Sequence, residues 1–139
     1  MLYKQLEAVR GIASVSSVEK FDFWLATLPK ENQKMISVSL VADRIGIEHS
    51  VADQLLRFCK EHGILQTYFV AECKACGCRE SIGKDVIVMM LTHALKCKRC
   101  KATIAPKMIY VAYRVVKQPD ATEEEIRGEI ESRLASHNI

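Results

Sequence analysis

The sequence predicts an α+β fold, and three features of its 139 residues carry that prediction. Two Cys-x-x-Cys pairs, Cys73/Cys76 and Cys97/Cys100, are separated by residues 77–96. Upstream of them, apolar residues recur at helical spacing on both sides of a turn at Gly46. Short alternating stretches flank the cysteines and read as strands, and an acidic helical stretch follows them.

The cysteine pairs are the most specific signal. A two-residue gap lets the chain turn tightly enough for both sulfurs to reach one ion, and two such pairs form the pattern of a tetrahedral four-thiolate zinc site. Gly77, directly after the first pair, supplies the left-handed backbone such a turn needs. Cys73, Cys76, Cys97 and Cys100 are therefore the expected ligands of one structural Zn2+, with no position left open for catalysis. Zinc is favoured over iron by the all-thiolate ligand set and the lack of a redox context. A thioredoxin-like redox reading would need one pair at a strand-to-helix junction, and two pairs among basic residues fit zinc better. Cys78, a fifth thiol next to Gly77, and His93, alone on an apolar stretch, are read as bystanders.

Composition bounds the rest. The chain is 49% hydrophobic and 27% charged, a globular balance that suits one compact domain or two very small ones. The opening MLYKQLEAVRG is too polar for an export signal, so reduced thiols in the cytoplasm are expected. The longest apolar run, Val86 to Leu91, is too short to span a bilayer, and no membrane partner is expected. No nucleophile–base pair, phosphate-binding glycine loop or paired carboxylates appear, so neither enzyme activity nor a small-molecule substrate is expected.

The formal net charge of +3 hides an uneven distribution. Residues 1–72 are near neutral at −1, residues 73–118 carry +8, and residues 119–139 carry −4. A basic segment beside the cysteines is either a footprint for an anionic partner, most often nucleic acid, or a solubilising surface that balances the acidic tail.

In chain order, Leu2, Leu6, Val9 and Ile12 allow a short helix packed on the body or on a partner subunit. Ser16 and Glu19 form a capping box for a helix with Val18, Phe21, Trp24, Leu25 and Leu28 on one face, which leaves Phe23 over. Met35 to Ser39 reads as a strand. Leu40, Val41 and Ile45 face inward from a short helix, Gly46 makes the turn, and Ile47 plugs it. Ser50 caps a helix with Val51, Leu55, Leu56 and Cys59 inward, and Gly63 stops it. QTYFVAEC then alternates as a strand. Between the pairs (77–96), Asp85 to Leu95 reads as a buried strand or as a helix capped by Asp85; Val86, Ile87 and Val88 favour strand and Met89 to Leu95 helix, so a short helix or a strand then a helix is expected. Ala102–Ile104 and Met108–Val116 read as strands that pair with those of the cysteine turns. Thr122 and Glu125 cap a helix with Ile126, Ile130 and Leu134 on one face. Such a thin stripe must dock on the sheet or on a partner.

The residues Ala42 to Gly46, followed by Val51, Leu55, Leu56 and Gly63-Ile64-Leu65, resemble the winged helix-turn-helix family over about Val18 to Ala71. The resemblance implies an N-terminal extension (1–17), a winged helix-turn-helix (18–72), a zinc ribbon with flanking strands (73–118) and an acidic C-terminal helix (119–139). The domain order is similar to that of the archaeal transcription factor E family and its eukaryotic counterpart, and to winged-helix/zinc-ribbon accessory proteins of bacterial conflict systems. It implies a recognition helix at Ser50–His62, with His49, Ser50, Gln54, Arg57 and Lys60 facing DNA and Asp53 opposing it. Lys74, Arg79, Lys96, Lys98, Arg99 and Lys101 would meet phosphates. Two readings follow: a DNA-binding transcriptional regulator, plausibly a homodimer, and an adaptor docking a protein partner through its winged helix and C-terminal helix.

Overall fold

The computed structural model describes residues 1–137. Three helices, α1 (Val15–Ala26), α2 (Val38–Ile45) and α3 (His49–Glu61), pack on one end of a three-stranded sheet of order β2-β1-β5. The strands are β1 (Leu65–Glu72), β2 (Arg79–Ile82) and β5 (Ile109–Val115). Helix α4 (Lys84–Met89) and a small ladder of β3 (Leu95–Lys96) with β4 (Thr103–Ile104) belong to the cysteine-bearing segment. Helix α5 (Glu123–His137) follows.

The N-terminal residues are part of the body. A 3-10 turn over Lys4–Ala8 buries Tyr3, Leu6 and Val9 in the same core as α1–α3. Both carboxylate oxygens of the buried Asp22 accept backbone N–H groups, from Leu2 at 2.9 Å and Tyr3 at 2.8 Å. Helix α1 begins earlier than its expected capping box. The Ser14 hydroxyl accepts from the Ser17 amide at 3.1 Å, and Ser16 lies exposed inside the first turn.

The expected strand at Met35–Ser39 shrinks to one residue. Ile36 exchanges two 2.8 Å bonds with Tyr113 on the outer edge of β5, and Ser37 already caps α2 through the Leu40 amide. At the α2–α3 turn Gly46 takes φ 75°, a conformation with little steric cost only for glycine. The Gly46 and Ile47 amides both return to the Ala42 carbonyl. Helix α3 starts at His49 behind Glu48, so Ser50 is not its cap. Its end is a Schellman motif, with Ile64 N–H on the Cys59 carbonyl at 2.9 Å and Gly63 N–H on that of Lys60 at 3.2 Å. Ala52, Leu55, Leu56 and Cys59 form its buried face; Val51 is half-buried.

Both strands after the second cysteine turn pair with strands that lead into the cysteine turns, as expected: β5 pairs along its whole length with β1, which runs into Cys73, from Leu65↔Val115 to Ala71↔Ile109, and β4 pairs with β3, which runs into Cys97. β1 and β5 are thus the two arms of one antiparallel hairpin, and residues 73–108 lie between them. Beyond Glu72 the chain turns back as β2, pairing Phe69↔Ile82 through Glu72↔Arg79.

Side chains alternate across a strand, so Leu65, Thr67, Phe69 and Ala71 share one sheet face with Val115, Tyr113, Val111 and Ile109. At one end of this face, Leu65, Tyr113 and Val115 join the helical core. At the other, Ala71 and Ile82 join Cys73, Cys97 and Ile104 in a second core, with Phe69, Ile109, Val86 and Ile87 packed against it. Thr67 and Val111 lie between the two cores, and Val111 is 49% exposed.

The segment between the cysteine pairs resolves into β2, then α4. Gly83 is the N-cap of α4 and Asp85 sits in its first turn, not at its cap. The β-branched run Val86-Ile87-Val88 is helical because that geometry turns Val86 and Ile87 onto the second core. Val88 is left 64% exposed.

The capping box of α5 forms: Thr122 Oγ1 accepts from the Glu125 amide at 3.2 Å, and Glu125 Oε1 from that of Thr122 at 3.4 Å. Its apolar stripe is thinly covered. Ile126 and Ile130 are half-buried, Leu134 is 57% exposed, and no residue from 123 to 136 is buried. The helix is held at its start by Asp120 and Ala121 amides on the Leu2 carbonyl. Further along, the Arg133 guanidinium lies 4.0 Å over Phe23, the aromatic residue off the apolar face of α1.

Candidate metal centre and its cationic surroundings

The two cysteine turns are the same loop built twice. In the first, the Cys73 amide donates to the Cys78 carbonyl at 2.8 Å and the Gly77 amide to the Cys73 carbonyl at 2.7 Å. In the second, Cys97 donates to Ala102 and Lys101 to Cys97, both at 2.9 Å. The residue after each second cysteine is left-handed, Gly77 at φ 75° and Lys101 at φ 65°. CKACGC and CKRCKA thus superpose by role, although only the first carries the glycine.

These loops bring the four sulfurs of Cys73, Cys76, Cys97 and Cys100 within 4.8 Å of one another. The Cys73–Cys100 and Cys76–Cys97 sulfur pairs are 3.4 and 3.7 Å apart. Thiolates at ~2.3 Å around a tetrahedral ion lie about 3.8 Å apart, so the cage matches one metal ion such as zinc. Backbone amides prepare the ligands. Those of Cys100 and Arg99 pull the Cys97 thiol down to about 6, and that of Cys76 lowers Cys73. At Cys76 the Cys78 amide favours the thiolate, but desolvation and the neighbouring sulfurs prevail and push the thiol up to about 12. An ion in the cage would reverse that balance by drawing all four as thiolates. Cys73 and Cys97 are buried, whereas Cys76 and Cys100 are exposed, so the cage stands at the surface.

The remaining sulfur and imidazole groups stand outside the cage. Cys78 contributes its carbonyl to the first turn, and exposed His93 lies against the Thr92 hydroxyl at 2.9 Å. Cys59 is fully buried in the helical core, where desolvation raises its thiol to about 12.

The candidate nucleic-acid residues are all exposed and fall into two groups. His49, Ser50, Gln54, Arg57 and Lys60 lie on α3, where Arg57 is tied to Asp53 at 3.0 Å. Lys74, Lys98, Arg99 and Lys101 ride on the two cysteine turns, which the cage draws together, and Lys98 pairs with Glu80 at 2.9 Å. Arg79 pairs with Glu72 at 3.6 Å, and Lys96 donates to the Thr103 hydroxyl at 2.6 Å.

A feature the sequence reading missed is an open cleft of about 1170 Å³ on the shared sheet face, lined by Arg57, Lys60, Phe69, Lys84, Val111 and Tyr113 among others. Only the β1–β5 register reveals it, because the residues that make it are far apart in sequence.

Compared with models of known protein families, with curated proteins and with solved structures, the chain matches none. Mixed helix and sheet, a four-cysteine cage suited to one metal ion, and a C-terminal helix are its established features, and none of its described helices is long and apolar enough to cross a membrane.

Proposed function

We propose that this chain is a zinc-containing DNA-binding protein of the transcription-regulator type, a winged helix-turn-helix whose wing carries a zinc ribbon. On this reading α2 and α3 are the helix-turn-helix, β1 and β5 are the wing, and the Ile36–Tyr113 bridge is what remains of the strand before α2. The ribbon is then the tip of the wing, not a domain appended after it.

The observation that carries the reading is the arrangement of charge at that tip. The cage forces two loops together, and each brings its own cations: Lys74 from one, and Lys98, Arg99 and Lys101 from the other. Of these, only Lys98 has a carboxylate partner among the described residues. Lysines that merely solubilise need no such convergence, whereas a phosphate backbone is held by cations presented together.

The test is binding of the zinc-loaded protein to a mixed-sequence duplex across a salt series. Each phosphate neutralised should steepen the log–log salt slope by about 0.9. Replacing Lys74, Arg99 and Lys101 by Glu should flatten it and weaken binding to all sequences. Absence of binding at low salt sinks the proposal.

One observation favours an adaptor role as a second reading. Helix α4 holds Val88, Met89 and, just beyond it, Leu91 at 64%, 44% and 84% exposure, and the α5 residue Leu134 is 57% exposed. Exposed aliphatic groups this close together mark a protein contact. A complex that survives removal of residues 120–139 would count against docking through α5.

A further inference from the structure

We propose that the cleft between α3 and the cysteine-bearing segment binds a single strand of nucleic acid. The inference deepens the DNA-binding reading by naming the form of substrate, and its test is arranged so that the two can fail separately.

The cleft exists because one sheet face supports two cores. The helices cover its Leu65–Val115 end, the inserted segment covers its Ala71–Ile109 end, and the strip between is left open. Phe69, Val111 and Tyr113 line the open strip, with Thr67 beside them. Arg57 and Lys60 reach it from α3, and Lys84 from the start of α4. Lys60 and Lys84 have no carboxylate partner among the described residues, and Glu61 is the one acid in the lining. An apolar floor between cations is the arrangement that serves an unpaired strand, with bases laid on the floor and phosphates on the rim.

A duplex fits this site poorly. Its outer surface is sugar and phosphate, and it gains nothing from Val111 or Phe69. Helix α3 is also badly charged for entering a major groove. Its N-terminal half, the part that meets base edges in such docking, carries Glu48 at the cap and Asp53. Its cations, Arg57 and Lys60, lie in the C-terminal half and line the cleft instead. The strand's own source, DNA or RNA, is left to the probes.

The experiment uses the zinc-loaded full chain with oligo(dT), oligo(rU) and a mixed-sequence hairpin duplex, with single strands of about 12 nucleotides. Val111→Asp places a carboxylate on the floor, and Lys84→Glu reverses the rim; neither residue belongs to the α3 or cysteine-turn sets. Val111 is half-exposed, so its variant should fold, and the surface variant Lys84→Glu serves if it does not. The expected result is tighter binding of a single strand than of the duplex. Each variant should lose about tenfold in strand affinity and less than about twofold in duplex affinity. Preference for oligo(rU) over oligo(dT) would assign the strand to RNA. Duplex binding without strand binding, or strand binding untouched by both variants, overturns the cleft and leaves the DNA-binding reading standing. Binding of neither probe ends both.

Discussion

Removing the metal should unfold the inserted segment and spare the helical body. The buried part of the second core consists of Ala71, Cys73, Ile82, Cys97 and Ile104, so two of its five members belong to the four-cysteine cage. The other three bury one methyl and two isoleucine side chains, worth about 5 kcal/mol together. A four-thiolate zinc site contributes about 10–16 kcal/mol, two to three times as much. The apolar residues cannot hold the inserted segment by themselves. The helical body has seventeen buried members and contains none of the four cage cysteines. It also keeps the C-terminal half of β5, because Tyr113 is bonded to Ile36 and packs beneath the helices.

Amide hydrogen exchange before and after chelation resolves the two parts. Protection should vanish at residues 79–104 and persist in α1–α3 and at Tyr113, and zinc should restore the pattern. Protection that survives chelation in the insert would refute the argument that the ion holds it. Collapse of the body together with the insert would refute the division into two cores.

Three further outcomes follow from single positions. Cys76→Ser should abolish bound zinc measured by metal analysis, while Cys78→Ser should keep one ion per chain, since only its backbone serves the site. Gly77→Ala should weaken the metal-loaded unit by about 1 kcal/mol through its left-handed backbone, and Lys101→Gly should leave it unchanged or up to about 1 kcal/mol more stable; chelator competition reads both. Asp120 has its carboxyl lowered by the Lys4 amide first and then by Lys117. A lowered folded value stabilises above the unfolded one and fades as pH falls through the folded one. Wild type should therefore melt above Asp120→Asn at neutral pH, and the two curves should converge below the ordinary carboxylate range.

What could be read from the sequence was what lies close together in it. The Cys-x-x-Cys spacing, the stops at Gly46 and Gly63 and the Thr122–Glu125 box are each decided within six residues, and each formed. The caps slipped where several candidates stood side by side: Ser14, Ser16 and Ser17 cluster where α1 begins, and Ser14 is the one that caps it, with Ser16 and Ser17 inside the first turn. The order and register of the strands were illegible for a different reason. MIYVAYRVV alternates equally well against any neighbour, and what places it beside β1 is burial of Tyr113 and Val115 under helices more than fifty residues away. The N-terminal segment left two docking places open, the body and a partner, because the carboxylate that fixes it on the body, Asp22, looks like any polar residue on a helix until its two backbone partners are known.

The insertion of the cysteine unit between β1 and β5 has a mechanical consequence that an appended unit would not have. An appended ribbon could reorient on a linker without disturbing the body. Here both connections are strands of the same paired hairpin, and the first cysteine follows β1 at once. The cage, the cations on its turns and the rim residue Lys84 are therefore fixed relative to α3 through continuous backbone pairing. Metal occupancy then governs two properties together, the convergence of cations on the cysteine turns and the far boundary of the cleft. Loss of the ion should therefore lower duplex and single-strand affinity in parallel. Charge reversal at Lys84 should separate them, because that residue lines the cleft without belonging to the cage.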